Sequence, residues 1–136
     1  MRMYEWDNLL ETGHELIDSQ HKQLFDVLNR LVEAYHSGAG EKEVAEAVEF
    51  LLSYAVQHFS DEETLQLQYD YPDYWRHRQA HKEFTQTANE FAERLKRDGY
   101  SLELLNEVHF TIRAWLINHI KGDDLHMVGF IISQTE

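Results

Sequence analysis

The sequence contains no cysteine and only one proline among its 136 residues. The absence of cysteine excludes disulfide-stapled scaffolds, thiol catalysis, iron–sulfur clusters and zinc sites with thiolate ligands. Cationic residues are also scarce, because 12 Lys and Arg stand against 25 Asp and Glu, which gives a net charge of −13. A surface this negative repels phosphate backbones and anionic lipid headgroups, so we expect neither nucleic acid nor a membrane surface as a partner.

Long apolar runs and a signal sequence are lacking as well. No apolar stretch approaches the roughly 18 residues of a membrane-spanning helix, and residues 1–10 do not have the basic-then-apolar order of a signal peptide. A hydrophobic content of 43% is nevertheless too high for a disordered acidic chain. We therefore expect a single domain over residues 1–136, in a monomeric protein of the cytoplasm.

The few helix breakers divide the chain into four long uninterrupted stretches, at about 17–37, 41–68, 73–98 and 101–121. Apolar residues recur within them at steps of three and four, as in Phe84, Ala88, Phe91 and Leu95, which is typical of helices with one buried face. Short connections predict an all-α, up-down-up-down antiparallel four-helix bundle. We expect the remaining residues to form an N-terminal arm and a short C-terminal extension that pack on the outside or the ends of the bundle.

Polar side chains interrupt each apolar stripe near one end of its helix. The interrupting residues are His21, His58, Glu62, His77, His81 and His119. In an antiparallel bundle these positions all lie at the same end, so the six side chains converge on one small volume of the core. Unpaired imidazoles and a carboxylate are costly to bury, whereas metal ions satisfy their lone pairs. The pattern predicts a metal centre, and this many ligands suit two metal ions.

Asp124 is the natural seventh ligand. It follows His119 by five residues, a rotation of about 500° that misses the same face of a regular α-helix. Gly122 lies between the two and allows the helix to end or distort there. The remaining histidines fall off this level or off the buried faces and are assigned no role: His14, His36, His109 and His126. Acidic residues such as Asp61 and Glu63 are interpreted as part of a solvated face.

Four segments of the chain resemble the hemerythrin family, in particular its bacterial single-domain members, the bacteriohemerythrins. The segments are Gly13-x-x-x-Ile17-Asp18-x-Gln20-His21, His58-Phe59-x-x-Glu62-Glu63, Tyr71-Pro72 with His77-x-x-x-His81, and Trp115-Leu116-x-x-His119-Ile120-x-x-x-Asp124. The resemblance implies a non-haem di-iron site that binds dioxygen reversibly. It departs from the family at Gln66, where many members have Met, and this change concerns packing around the site.

The resemblance also implies a role for each residue. His77, His81 and His119 would hold one iron ion, and His21 and His58 would hold the other, which keeps an open position for dioxygen. Glu62 and Asp124 would bridge the two ions together with an oxo or hydroxo group. The dioxygen pocket would be formed by Leu24, Phe59, Trp115 and Leu116.

The function expected from these observations is dioxygen storage, transport or delivery, without enzymatic activity. Three alternatives use the same residues. A sensor of dioxygen, nitric oxide or redox state would need a signalling domain as partner, whereas a carrier would serve an oxygen-consuming enzyme. A di-iron peroxidase or oxidase would turn over with an added reductant and peroxide. A structural metal site would bind zinc as well as iron and show no ligand chemistry.

Overall fold

The computed structural model describes residues 10–38 and 41–135. These residues form five α-helices and one π-helical segment, which joins the last two helices. The helices are α1 (Glu15–His36), α2 (Glu41–Gln68), α3 (Tyr74–Asp98), α4 (Leu102–His119) and α5 (Leu125–Thr135), and the π segment is Ile120–Asp124. The predicted N-terminal arm falls largely on residues 1–9, which lie outside the described part of the chain.

The first four helices form a closed bundle. α1 packs on α2 and α4, and α3 packs on the same two helices. Consecutive helices therefore run in opposite directions and lie side by side, which confirms the predicted all-α four-helix architecture. Among the described residues, no helix combines the length and the apolar character that a membrane crossing requires.

Local sequence explains where α3 ends and α4 begins. Gly99 has a φ of 85°, which an L side chain rarely adopts, and its N–H donates to the carbonyl of Leu95. Two residues later, the Ser101 hydroxyl accepts a hydrogen bond of 3.1 Å from the N–H of Leu104 and caps the N-terminus of α4. The reversal of direction is thus set by a glycine and a serine only two positions apart.

The interior of the bundle is apolar at one end and polar at the other. Most of the length is filled by one cluster of buried apolar side chains from all four helices, including Leu28, Leu51, Phe91 and Leu105. Dispersion contacts and burial of this surface stabilise the bundle. The rigid apolar end holds the helices in the register that places the polar residues of the other end together.

The C-terminal extension is helix α5, and it packs at the polar end of the bundle. Its apolar face, formed by Met127, Val128 and Ile131, contacts Ile17 and Tyr71 in a second buried cluster. This cluster closes the bundle beyond the polar residues. The extension therefore packs on one end of the bundle, as expected.

Candidate metal centre

Seven buried side chains from the four bundle helices and the π segment meet at the polar end. They are His21 from α1, His58 and Glu62 from α2, His77 and His81 from α3, His119 from α4 and Asp124 from the π segment. The structure thus brings together all seven residues that the sequence predicted as ligands. Their ligand atoms fall into two groups, within each of which the atoms lie within 4.8 Å of one another.

The carboxylate of Glu62 is shared between the two groups. Its Oε1 atom lies 3.0 Å from Nε2 of His81 and 3.6 Å from Nε2 of His77. Its Oε2 atom lies 3.4 Å from Nε2 of His58 and 3.6 Å from Nε2 of His21. One oxygen therefore faces histidines of α3, and the other faces histidines of α1 and α2.

Asp124 divides its two oxygens in the same way. Its Oδ1 atom lies 2.9 Å from Nε2 of His77 and 3.3 Å from Nε2 of His119, and its Oδ2 atom lies 3.0 Å from Nε2 of His21. The two groups are therefore a three-histidine set (His77, His81 and His119) and a two-histidine set (His21 and His58). Both carboxylates lie between the sets.

The π segment explains how Asp124 reaches this position. The N–H of Leu125 donates to the carbonyl of Ile120, five residues earlier, so the turn is wider than an α-helical turn. A wider turn needs more residues per revolution, and the residue five positions after His119 then returns to the buried face. The distortion predicted near Gly122 is this π turn.

Burial and the nearby carboxylates have opposite effects on the pKa values of the histidines. Burial alone lowers the pKa of His21 and His77, but the carboxylates of Asp124 and Glu62 overcome this effect and raise the two pKa values to about 9 and about 10. The pKa of His119 is raised to about 9 by the same balance of burial against Asp124. His58 behaves in the opposite way, since burial lowers its pKa to about 4.

The two carboxylates respond to the same neighbours. Burial alone raises the pKa of Glu62, but the surrounding histidines hold it well below its ordinary value. Burial and the charge of Glu62 raise the pKa of Asp124, and His119 and His21 lower it more strongly. Protons on the imidazoles thus balance two buried negative charges, and a bound cation would take over this role and release the protons.

Unsatisfied polar atoms provide a test of whether a metal fits. Among the described residues, neither oxygen of Glu62 or Asp124 has a hydrogen-bond partner, and Nε2 of His21 and of His77 also lacks one. Buried polar atoms are normally paired, and the short distances between these atoms do not have hydrogen-bond geometry. Metal–ligand bonds would satisfy all of them, and imidazole with carboxylate is a donor set that suits iron and other transition metals.

Comparison with known proteins agrees with this interpretation. The Hemerythrin HHE cation binding domain family matches residues 12–131. The chain belongs to the hemerythrin family. It is similar to a bacteriohemerythrin of Pseudomonas aeruginosa, with 32% identity over 93% of this chain and 80% of that protein. A hemerythrin-like protein of Naegleria gruberi is 34% identical over 94% of this chain and 93% of its own length.

A solved structure supports the fold. The crystal structure of a wild-type hemerythrin superposes on this chain with a TM-score of 0.84. The match covers 96% of this chain and 98% of that chain, at 24% identity. The four-helix bundle is therefore the hemerythrin fold.

Hydrogen bonds on the outer side of three histidines orient this hemerythrin centre. Nδ1 of His81 donates to Glu63 at 3.0 Å, and Nδ1 of His119 donates to Asp123 at 2.9 Å. Nδ1 of His58 donates to the amide oxygen of Gln20 at 2.7 Å. Because Nδ1 is engaged in each pair, Nε2 is the nitrogen that could bind a metal ion at the centre.

The interpretation of Asp61 and Glu63 as a solvated face was therefore wrong. Glu63 lies half-buried against His81, and Asp61 accepts a hydrogen bond of 2.7 Å from the amide of Gln20. Both residues lie next to the buried face of α2, and Glu63 contacts His81 from the side. Asp123 was also missed, although its spacing of four residues from His119 is a usable signal.

Aromatic rings cover the three-histidine set. The Phe59 ring stacks on His81 with ring centroids 4.0 Å apart, and the Trp115 ring stacks on His119 at 4.3 Å. Leu24 and Leu116, the other two residues predicted for a dioxygen pocket, are buried one helical turn from His21 and His119. The two rings thus lie on the three-histidine side of the centre.

Proposed function

We propose that this protein binds dioxygen reversibly at a di-iron centre, for storage, transport or delivery of oxygen. His77, His81 and His119 would hold one iron ion, and His21 and His58 would hold the other. Glu62 and Asp124 would bridge them, together with an oxo or hydroxo group. A pair of ferrous ions held in this way would supply the electrons that bind dioxygen, and would recover them when dioxygen leaves.

The observation that carries this proposal is the unequal division of the histidines. Both Glu62 and Asp124 present one oxygen to each set, so each ion would receive the same two carboxylate contacts. The three-histidine set then provides one more protein ligand than the two-histidine set. An open coordination position would therefore belong to an ion held on the side of α1 and α2.

The charge of the donor set favours a carrier over an oxidase. The seven side chains supply only two negative charges, from Glu62 and Asp124, and five neutral imidazoles. Carboxylate-rich di-iron sites in ferritin-like bundles use four Glu and two His, which neutralise the ions more completely and stabilise higher oxidation states. The histidine-rich set of this chain would favour return of the electrons to the ferrous state, so that bound dioxygen could leave unchanged.

Water exclusion by apolar side chains supports the same conclusion. Leu24 and Leu116 are almost completely buried beside the centre, and Phe59 and Trp115 cover the opposite side. A dry pocket would slow the loss of the electrons with dioxygen as peroxide, because that loss needs protons from water and releases products that are poorly solvated there. These four residues would therefore form the walls of the dioxygen pocket.

The first test is a visible absorption spectrum through one oxygen cycle. The protein is loaded with ferrous iron without air, exposed to oxygen and then purged. We expect a charge-transfer band that appears with oxygen and fades on purging. An irreversible change to a ferric spectrum would contradict reversible binding, and a colourless iron-loaded protein would indicate a structural metal site.

Two variants make the spectrum specific to the site. His21→Ala removes a ligand of the two-histidine set and should abolish the reversible band. The matched control is His36→Ala, at the exposed end of the same helix, which should leave the band unchanged. Loss of the band in both variants would mean that the spectrum does not report on this centre.

A further inference from the structure

A groove runs along the outer face of the bundle between α2 and α3. Its volume is about 720 Å³, and its floor includes the buried residues Phe59 and His81. Val56 and Leu67 line it on the α2 side and are 51% and 59% exposed. The groove lies against the outer side of the three-histidine set, but the proposed oxygen chemistry does not use it.

The α3 side of the groove carries opposite charges at its two ends. Arg78 and Lys82 line one end, and Glu90 and Glu93 line the other, about 22 Å away along the helix. The groove residues of α3 between them are uncharged: Thr85, Gln86 and Asn89. Within the described part of the chain, Lys82, Glu90 and Glu93 form no salt bridge. Both ends are therefore available to a partner.

The order of these charges is complementary to itself when it is reversed. Gln86 lies at the middle of the row, four residues from Lys82 and four from Glu90. A second copy related by a two-fold axis at Gln86, with its α3 antiparallel, would place Lys82 of each copy opposite Glu90 of the other. Arg78 of each copy would likewise lie near Glu93 of the other. Every contact then occurs twice, as a two-fold interface requires.

An exposed apolar side chain lies close to the same axis. The rings of Phe59 and Phe84 are in contact, with centroids 5.4 Å apart. Val56 precedes Phe59 by about one turn, and α2 runs antiparallel to α3, so Val56 lies at about the level of Gln86. The two-fold axis would therefore bring the Val56 side chains of both copies together. An apolar centre with charged residues around it is typical of protein interfaces.

The groove is also much closer to neutral than the rest of the surface. Its three carboxylates, on Glu63, Glu90 and Glu93, are opposed by the cations of Arg78 and Lys82, whereas the whole chain carries a net charge of −13. A second copy is thus repelled far less at this face than the net charge implies. Salt at physiological concentration screens charges that lie more than about 8 Å away.

We propose that the groove between α2 and α3 is the interface of a two-fold symmetric dimer of this protein, in which Lys82 of each copy pairs with Glu90 of the other. The dimer replaces the monomer expected from net charge alone. It covers the outer side of His81, where the hydrogen bond to Glu63 lies. This proposal does not rest on the proposed oxygen chemistry.

Sedimentation equilibrium of the full-length, metal-loaded protein provides the first test. We expect the mass of a single chain, 16.2 kDa, at low concentration and twice this mass as the concentration rises toward about 1 mM. A protein that remains monomeric over the whole range would overturn the proposal.

Two charge reversals test which residues meet. Lys82→Glu and Glu90→Lys each place like charges opposite one another, and each should weaken dimerisation by at least about tenfold. Glu90→Lys also makes the net charge less negative, so its effect cannot come from overall repulsion. The matched control is Glu83→Lys, the same change at an exposed residue of α3 outside the groove, which should retain the dimer.

Mixing the two variants gives the sharpest result. In an equimolar mixture of Lys82→Glu and Glu90→Lys, opposite charges face each other at both contacts of the mixed dimer, so dimerisation should return to the strength of the unmodified protein. This recovery also shows that both variants are folded. Unchanged dimerisation of either variant alone would show that the copies meet at another face, and failure of the mixture to dimerise would exclude the antiparallel arrangement.

Discussion

The two histidine sets share the same pair of carboxylates but differ in what lies behind the imidazoles. In the three-histidine set, Glu63 and Asp123 accept hydrogen bonds from His81 and His119. In the two-histidine set, His58 donates to the neutral amide of Gln20. Nδ1 of His21, like Nδ1 of His77 in the other set, has no partner among the described residues. An anionic acceptor makes an imidazole a stronger donor to a metal. If the two sets bind iron as proposed, this difference would let the three-histidine set hold its ion more firmly and leave the ion of the two-histidine set more reactive.

The covering side chains differ in the same sense. Flat aromatic rings stack on His81 and His119 and fix the planes of these imidazoles. Leu24 lies one turn from His21 on α1 and has no ring to stack. The two sets therefore consist of the same ligand type, imidazole, but differ in the side chains that surround it.

The largest effect should come from removing what the two sets share. Glu62→Gln takes away the carboxylate whose oxygens face both sets, so we expect the loss of both metal ions. His58→Ala removes a ligand of one set only and should retain the ion of the other. Metal content per chain, measured after gel filtration, distinguishes the two results.

The control for this prediction lies on the same helix. Glu46→Gln changes an exposed carboxylate of α2 and should retain both ions. If Glu62→Gln also retains both ions, Glu62 does not bridge the sets.

The next largest effect concerns the apolar cover. Leu116→Ala should destabilise the protein by about 2–5 kcal/mol, as for other buried leucines, and should speed the oxidation of the oxygen-bound form, because water reaches the pocket. Leu105→Ala truncates an equally buried leucine of α4 in the apolar end of the bundle. It should cost similar stability and leave the oxidation rate unchanged. Equal oxidation rates in the two variants would remove Leu116 from the pocket.

A smaller effect on metal affinity should distinguish the anionic hydrogen-bond acceptor Glu63 from the neutral acceptor Gln20. Glu63→Gln should weaken metal binding at the three-histidine set by about 10–100-fold, a range typical of residues that orient metal ligands. Gln20→Ala should weaken binding at the two-histidine set by less, because it removes a neutral acceptor. Competition with a chelator measures both affinities. A larger loss in Gln20→Ala would reverse the proposed order of the two sets.

The smallest effect is expected in the metal-free protein. There the histidines with raised pKa values are those that contact Asp124, whichever set they belong to. His21, His77 and His119 all contact Asp124, and their folded-state pKa values of about 9 to 10 lie above the ordinary value. Their contribution to stability is complete below about pH 6.5 and is lost as the pH rises through 9 to 10. The metal-free protein should therefore lose about 1 kcal/mol or more of stability between pH 7 and 10.

Thermal unfolding at several pH values checks this prediction. The metal-loaded protein should show no such loss, because the metal keeps the imidazoles neutral at all of these pH values. A metal-free protein that becomes more stable over the same range would contradict the raised pKa values.

The sequence contained enough information for the bundle and for the convergence of the ligands. The spacing of His58 and Glu62, or of His77 and His81, places both residues on one helix face, and the antiparallel order brings the four helix ends together. This reasoning uses only helical periodicity and chain direction. It therefore works for residues on the buried face of a helix.

Residues beside this face could not be placed in this way. Glu63 follows Glu62 by one position, so periodicity assigns it to a different face, yet its side chain reaches His81 from the side. Gln20 precedes His21 and contacts a histidine of a different helix, α2. Such contacts depend on side-chain rotamers and on the distance between helices, and neither is visible in the spacing of residues.

The π turn gives a single extra residue a large influence over the C-terminal part of the chain. One residue inserted into an α-helix rotates everything that follows by about 100°. The carboxylate of Asp124 lies at the end of the π segment, and the apolar face of α5 lies beyond it. The wider π turn absorbs the extra residue, so both still face the interior. Regular α-helical hydrogen bonding through the same residues would turn both away together. Assembly of the centre and closure of that end of the bundle therefore both depend on the same π turn.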